Sequence, residues 1–237
     1  MRIIPILLIE NRRLVKGVNF KSHQYVGDPV NAIRLFNEFE VDELCIVDIG
    51  ATKKNYIDFD FISDLCSECF MPITYIGGVN TINQAKKLFS LGVEKIGVNS
   101  LASTNPRNIE QFIEYFGGQS IVVGIDVEKN IFGKYRIKNG LNCFKSIEVF
   151  IDYLNNIEIG EILLTSVNKE GTLSGIDVDL VNYFQKLVTV PLIYSGGIGS
   201  LNDFNICRDL NLEAVGVGSY FIYSGPHKGV LINYNIL

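Results

Sequence analysis

PITYIGGVNTINQAKKLFSLGVEKIGVNS, residues 72–100, and PLIYSGGIGSLNDFNICRDLNLEAVGVGS, residues 191–219, are two versions of one pattern. Each opens with a proline and a short apolar run, passes a glycine pair, and continues with helical apolar spacing. Each then ends on a second apolar run followed by Asn-Ser or Gly-Ser. The offset is 119 residues, half of the 237-residue chain. Working outward, VDELCIVDIGATK from Val41 matches IGEILLTSVNKEG from Ile159. IIPILLIE, ending at Glu10, matches VVGIDVE, ending at Glu128. A period this long is not a solenoid unit. It describes two half-domains related by an approximate two-fold axis.

Across both halves short β-like runs occur at Ile3–Leu8, Leu44–Asp48, Ile73–Tyr75, Lys95–Val98, Ile121–Asp126, Glu161–Thr165, Leu192–Tyr194 and Ala214–Val217. Amphipathic segments of helical period lie between them. Strands alternating with helices predict an α/β fold with a parallel sheet. Eight such runs in one chain predict a single (β/α)₈ TIM barrel over residues 1–237. Helix starts are marked by Asp28-Pro29 and Asn105-Pro106, each a capping side chain before a proline, and by Thr81 and Ser200. Gly92 follows the segment that Thr81 opens, as a left-handed cap does.

With 47% hydrophobic residues the chain has material for a core, and its net charge is −5. No basic stripe speaks for nucleic acid. The four cations of 129–138 are interrupted by Phe132 and Tyr135 and read as a solvated hairpin. No apolar run approaches the roughly 18 residues of a membrane span. MRIIPILLIENRR has no small-residue cleavage site, so no signal peptide is expected. The odd count of five cysteines fits a reducing cytoplasm. Cys66 and Cys69 form a lone CxxC, and zinc needs further ligands that only the distant His23 and His227 could offer. They read as part of a helix face, and neither a metal nor a cofactor is expected.

Three constellations carry chemistry. Gly77-Gly78 and Gly196-Gly197 follow strands three and seven, while Asn99-Ser100 and Gly218-Ser219 follow strands four and eight. Such loops bring backbone N–H groups close to an oxyanion. Their duplication predicts an elongated ligand with a phosphate at each end. Asp126 ends strand five at the face where barrels keep catalytic groups. Acid–base work normally needs two opposed groups, yet the repeat mate of Asp126 is Leu8. Asp48, at the end of strand two, is expected either to orient substrate or to bind backbone amides, and Glu10 is expected on the loop beyond strand one. Lastly, Arg2, Glu43, Lys95 and Glu161 open strands one, two, four and six. Four charges at the barrel bottom are costly unless paired. They read equally as a structural plug or as a gate over a path along the axis.

RIIPILLIENRRLVKGVNF, VGDP, DELCIVDI, the glycine pairs, VEKIGVNS, VVGIDVE, GEILLTSVNKEGT and YSGGIGS together resemble the cyclase subunit of imidazole glycerol phosphate synthase, from Arg2 to about Phe221. The resemblance implies a barrel that receives ammonia from a glutaminase subunit on its bottom face, through a charged gate. At the top, two aspartates would act on a bisphosphate. On this resemblance Arg2, Glu43, Lys95 and Glu161 match the gate, and Asp126 the second catalytic aspartate. Gly78, Asn99, Gly197 and Ser219 match phosphate loops, and Lys16 the lysine of a mobile first loop. Lys16, Asp48 and Thr165 are the side chains expected to orient substrate.

Three departures stand out: Leu8 replaces the first catalytic aspartate, Glu10 replaces a lysine, and SGPHKGVLINYNIL lacks the usual final helix. These departures, with HKGVLINY and ILL, look like a subgroup found with surface-polysaccharide genes. There, barrel and glutaminase are thought to supply ammonia to a separate enzyme that amidates a nucleotide-activated sugar. A gate without an acid–base pair favours ammonia delivery over cyclisation. The related aminoaldose isomerase shares the half-barrel repeat, but it also requires aspartate at position 8, and it is disfavoured by the complete gate.

Overall fold

The computed structural model describes every residue except Asn139, Pro226, Asn235 and Leu237. Eight parallel strands form the frame: β1 (Arg2–Glu10), β2 (Leu44–Asp48), β3 (Ile73–Ile76), β4 (Lys95–Val98), β5 (Ile121–Lys129), β6 (Glu161–Ser166), β7 (Leu192–Ser195) and β8 (Ala214–Val217). They pair in chain order, and β8 returns to β1 with Arg2 beside Ala214 and Pro5 beside Val217. The sheet is therefore a closed barrel, and helices between the strands cover it. This is the expected (β/α)₈ fold.

Side chains of a strand alternate between its two faces, so parity sorts the sequence into two cores. Ile4, Cys45, Ile76, Val122, Leu163, Ile193 and Ala214 fill the inside of the barrel. Their neighbours, among them Ile3, Leu44, Tyr75, Val123 and Leu164, pack outward against the helices. The inner layer keeps the two-fold repeat. Gly97 and Gly216 are mates, and each leaves space for an isoleucine of the adjoining strand, Ile76 and Ile6.

Local signals set the helix starts. Asp28 accepts from Asn31 N and opens Pro29–Glu38. Thr81 and Gln84 form a reciprocal capping box at Ile82–Ser90, as do Ser200 and Asp203 at Leu201–Asp209. Asn105 departs from the expected pattern. It precedes Pro106 but makes no side-chain cap bond, because it also ends the short helix Ser100–Thr104 and its backbone is turned to join the two. Cys66 lies on the helix Phe59–Glu68 and Cys69 just beyond it.

Two excursions decorate the top. β1 runs on through Glu10, so Glu10 is a strand residue and not a loop residue. It joins a hairpin of Arg13–Val18 and Lys21–Gly27. β5 pairs with Tyr135–Ile137, the solvated hairpin expected there. After β8 a single 3₁₀ turn, Ser219–Phe221, precedes a small hairpin. Tyr234 then packs on Phe36, Phe39 and Phe221.

Thr81→Ala should cost about 1 kcal/mol by loss of the cap. Asn105→Ala should cost less than about 0.5 kcal/mol, as for a position without such a bond. Urea unfolding of the two variants checks the contrast.

Candidate functional site

At the bottom of the barrel the inward positions of four strands bring Arg2, Glu43, Lys95 and Glu161 together. Arg2 Nη1 donates to Glu43 Oε2 at 2.6 Å, and its other terminal nitrogen donates to Glu161. Lys95 Nζ closes the circuit, 3.3 Å from Glu43 and 3.0 Å from Glu161. Thr74 donates to Glu43 at 3.0 Å. Both carboxylates are buried, so each needs its cations. Burial opposes the charge on Arg2, but Glu161 and Glu43 outweigh it and hold its pKa above the ordinary value.

Above this ring lies a cavity of about 10 Å³ along the axis, lined by Glu43, Thr74, Ile4, Cys45, Val122, Leu163 and Ile193. That is space for about one water-sized molecule. Ile6 and Leu163 line both this cavity and the mouth above it. Burial pushes the Cys45 thiol up to about 12, so it is a neutral wall group.

The mouth at the strand C-termini is a cavity of about 380 Å³. Leu8 and Asp126 both line it, one from each half. Asn99 donates to Asp126 Oδ2 at 2.7 Å, and Thr165 is the register neighbour of Asp126 on β6. Burial raises the Asp126 pKa, and hydrogen bonds from Asn99 and Thr165 only partly oppose it. Lys16, fully buried, reaches in from the first hairpin and donates to Ile6 O at 2.9 Å. Its pKa is lowered by burial, with Glu170 opposing. The hairpin covers this side of the mouth. Asn19 N donates to Glu170 O at 2.9 Å. The chain passes so close to Gly171 that a Cβ there would lie 2.1 Å from Gly17 O.

Among the loops expected to hold phosphate, Gly196, Gly197, Gly218 and Ser219 line one cavity with Lys16, while Asn99 and Ser100 line the mouth. Gly77 and Gly78 have positive φ and back onto Asp48 and Ala51.

Asp48 is not directed into the mouth. Its neighbour Val47 takes the inward position, so by strand alternation Asp48 faces outward. It accepts from Ala51 N at 2.8 Å and from Tyr75 Oη at 3.3 Å, which resolves its open role in favour of binding a backbone amide. Glu10 is held by Lys53 at 2.6 Å and lies 3.8 Å from His23.

The mouth also contains residues that the sequence reading passed over: Glu170, Ser195, Phe20 and His23. Glu170 is a second carboxyl in the cavity, its pKa raised by burial against the pull of Lys16. Its repeat mate is Thr52, so a search for symmetric carboxylates does not find it. No helix among the described residues is long and apolar enough to cross a membrane. No group of three or more metal-ligating side chains is present among them.

A closed parallel barrel with a charged ring at one end and a polar mouth at the other defines the class: a half-barrel-repeat TIM barrel. The chain belongs to the family described as "Histidine biosynthesis protein", whose profile matches residues 2–228. It is 41% identical to "Putative imidazole glycerol phosphate synthase subunit HisF" of Leptospira borgpetersenii, over 98% of this chain and 94% of that one. It is 42% identical to "Putative imidazole glycerol phosphate synthase subunit hisF2" of Pseudomonas aeruginosa, over 98% and 95%. Against "Imidazole glycerol phosphate synthase subunit HisF" of Bacillus cereus the identity is 37%, over 99% and 97%.

Two outcomes are expected from the electrostatics. Lys95→Met leaves two buried carboxylates sharing Arg2 and should destabilise the chain by about 3 kcal/mol, the lower end for breaking a buried pair; urea unfolding measures it. Asp126 behaves oppositely. An acid whose folded pKa is raised costs stability as pH climbs from the ordinary carboxylate range through the folded value. Asp126→Asn, which can keep the Asn99 bond, should therefore raise Tm at pH 7. The gain should shrink as pH falls toward ~4, and melting curves across that range test the sign.

Proposed function

We propose that this chain is the barrel subunit of a glutamine amidotransferase complex. It takes ammonia from a glutaminase docked on its bottom face, passes it along the axis, and releases it at the mouth. A separate enzyme then uses the ammonia to amidate a nucleotide-activated sugar in surface-polysaccharide (O-antigen) synthesis. The observation that carries this reading is a complete Arg2–Glu43–Lys95–Glu161 ring beneath a mouth in which Leu8 stands opposite Asp126. A leucine cannot give or accept a proton, so the paired acid–base chemistry of a cyclase lacks one member. The small cavity above the ring is lined, apart from Glu43, by neutral groups.

Three further features support it. Phe70 is 87% exposed on the loop that leads into β3, on the same end as the charged ring, with Phe39 and Met1 also partly exposed there. Exposed aromatic side chains of this kind are characteristic anchors of protein interfaces. The relatives near 40% identity include numbered forms, hisF2 and hisF3. Leu8, Glu10 and the HKGVLINY tail resemble the pattern of the polysaccharide-associated subgroup.

One observation favours the second reading, a cyclase in histidine biosynthesis: Glu170 is a carboxyl in the same cavity as Asp126. It sits beside Lys16, however, and on β6's loop, not across from Asp126 on β1.

Two measurements separate the readings. Co-expressed with its cognate glutaminase, the chain should co-purify with it and raise its glutamine turnover. Phe70→Asp should weaken that complex by about tenfold or more, the scale of an interface anchor. A chain that stays alone and leaves the glutaminase unstimulated overturns the reading. Given ammonia and the bisphosphate substrate of the synthase, the chain should turn over about 10²-fold or more slower than a barrel with both aspartates. Near-normal turnover transfers the assignment to the cyclase.

A further inference from the structure

The hairpin that extends β5 past the mouth has a polar stem and an apolar tip. Ile131 is 93% exposed and Phe132 81%, side by side at the turn. Single exposed apolar side chains are ordinary on a protein surface. These two neighbours instead occupy turn positions that glycine and small polar residues favour. The turn itself is made by the residues around them. Asn130 Oδ1 accepts from Phe132 N and Lys134 N, both at 2.9 Å, and Gly133 takes a φ of +77°. Nothing in the turn requires Ile131 or Phe132 to be apolar, and neither belongs to the core.

The stem below the tip is well anchored. Val127, Glu128 and Lys129 pair with Ile137, Arg136 and Tyr135. Lys129 N donates to Asn168 Oδ1 at 2.6 Å, on the loop after β6, and Tyr135 stacks on Tyr183 with ring centroids 5.8 Å apart. At the base, Lys138 N donates to Asp126 O at 2.8 Å, and the Lys138 ammonium lies 5.8 Å from the centre of the Phe20 ring. Asp126 and Phe20 both line the mouth, so the hairpin stands on its rim. Ile131 is five residues beyond Asp126, at most about 17 Å along an extended strand. An apolar pair presented on an ordered turn loses little freedom when it binds.

Positive charge surrounds this tip. The chain carries −5, yet residues 129–138 hold four cations and no carboxylate. Glu128 pairs with Arg136 at 2.6 Å and lies 3.5 Å from Lys138. Lys134 is exposed and makes no ion pair among the described residues. Lys129 has only a 3.9 Å approach to the exposed Asp179. The two lysines that flank Ile131 and Phe132 are therefore the least neutralised of the four.

We infer that this tip is the docking point for the enzyme that consumes the ammonia. Ile131 and Phe132 enter an apolar pocket on that enzyme, and Lys129 and Lys134 meet carboxylates at the pocket's edge. The inference rests on the ammonia-delivery reading and names the surface that completes it. Ammonia released into open solvent is diluted, so its consumer must seat on the rim of the mouth, and the hairpin tip is an apolar projection of that rim. The glutaminase is not the occupant, because the same reading places it at the opposite end of the barrel.

Reconstitution from three purified components tests the inference: the full chain, its cognate glutaminase and its cognate sugar-amidating enzyme. The double variant Ile131→Ser/Phe132→Ser should bind the amidating enzyme about tenfold or more weakly than the unmodified chain, the scale of an aromatic anchor. Lys134→Glu should slow association, and its effect should fade as salt rises. Glutamine-driven amidation should fall with the double variant, while the glutaminase complex and amidation driven by ammonium chloride stay as they were. Both side chains are exposed, so urea unfolding should show little change. The inference alone is overturned if the double variant binds the amidating enzyme as tightly as the unmodified chain. It is also overturned if glutamine-driven amidation proceeds with no binding of that enzyme, or if sedimentation shows that the variant instead breaks a dimer of this chain. No glutamine-driven amidation by the unmodified chain with both partners present overturns the delivery reading itself, and this inference with it.

Discussion

Parallel pairing of β8 with β1, Arg2 beside Ala214 and Pro5 beside Val217, turns a ribbon of eight strands into a tube. Until that seam forms there is no inside. Once it forms, strand alternation assigns every residue to the axis or to the helical shell, and neighbouring strands hold their inward positions at matched heights. Arg2, Glu43, Lys95 and Glu161 meet because each occupies an inward position at the same end of its strand. Val122, Gly124 and Asp126 climb the wall of β5 on the same parity, so the group at the mouth and the apolar lining below it are consequences of one register.

The charges at the bottom show how such a register restricts chemistry. Two buried carboxylates and two cations are tolerable only as a closed set, and each carboxylate is reached by both cations. Thr74 fills the place of a charge on β3. Directly above, the lining changes to aliphatic residues and a neutral thiol, which offer little to hold a charged species.

The mouth is organised by different forces. Burial works against charge on both Asp126 and Lys16, and the two are satisfied separately, Asp126 by Asn99 and Thr165, Lys16 by Ile6 O. The first hairpin is what brings Lys16, Phe20 and His23 over the cavity, and its tip is seated on the loop after β6 through Asn19 and Gly171. The asymmetry of the mouth therefore comes from the way the first hairpin is laid over the cavity and not from the barrel itself, whose inner layer still obeys the repeat at Gly97 and Gly216.

Sequence alone determined the strands, the closed fold and the ring of four charges, because period-two apolar runs and a half-chain repeat are local or translational signals that need no knowledge of contacts. It also determined that Leu8 takes the place opposite Asp126, since repeat mates are readable by alignment. Only the tertiary structure decided where side chains near strand ends point. Asp48 and Val47 are adjacent in sequence, yet one caps a helix and the other lines the mouth, because a single step along a strand reverses the face. Only the structure brought Glu170 into the cavity, since its mate Thr52 breaks the symmetry that guided the reading. Only the structure separated Ser219 from Ser100: their sequence contexts match, and burial beside Lys16 distinguishes them.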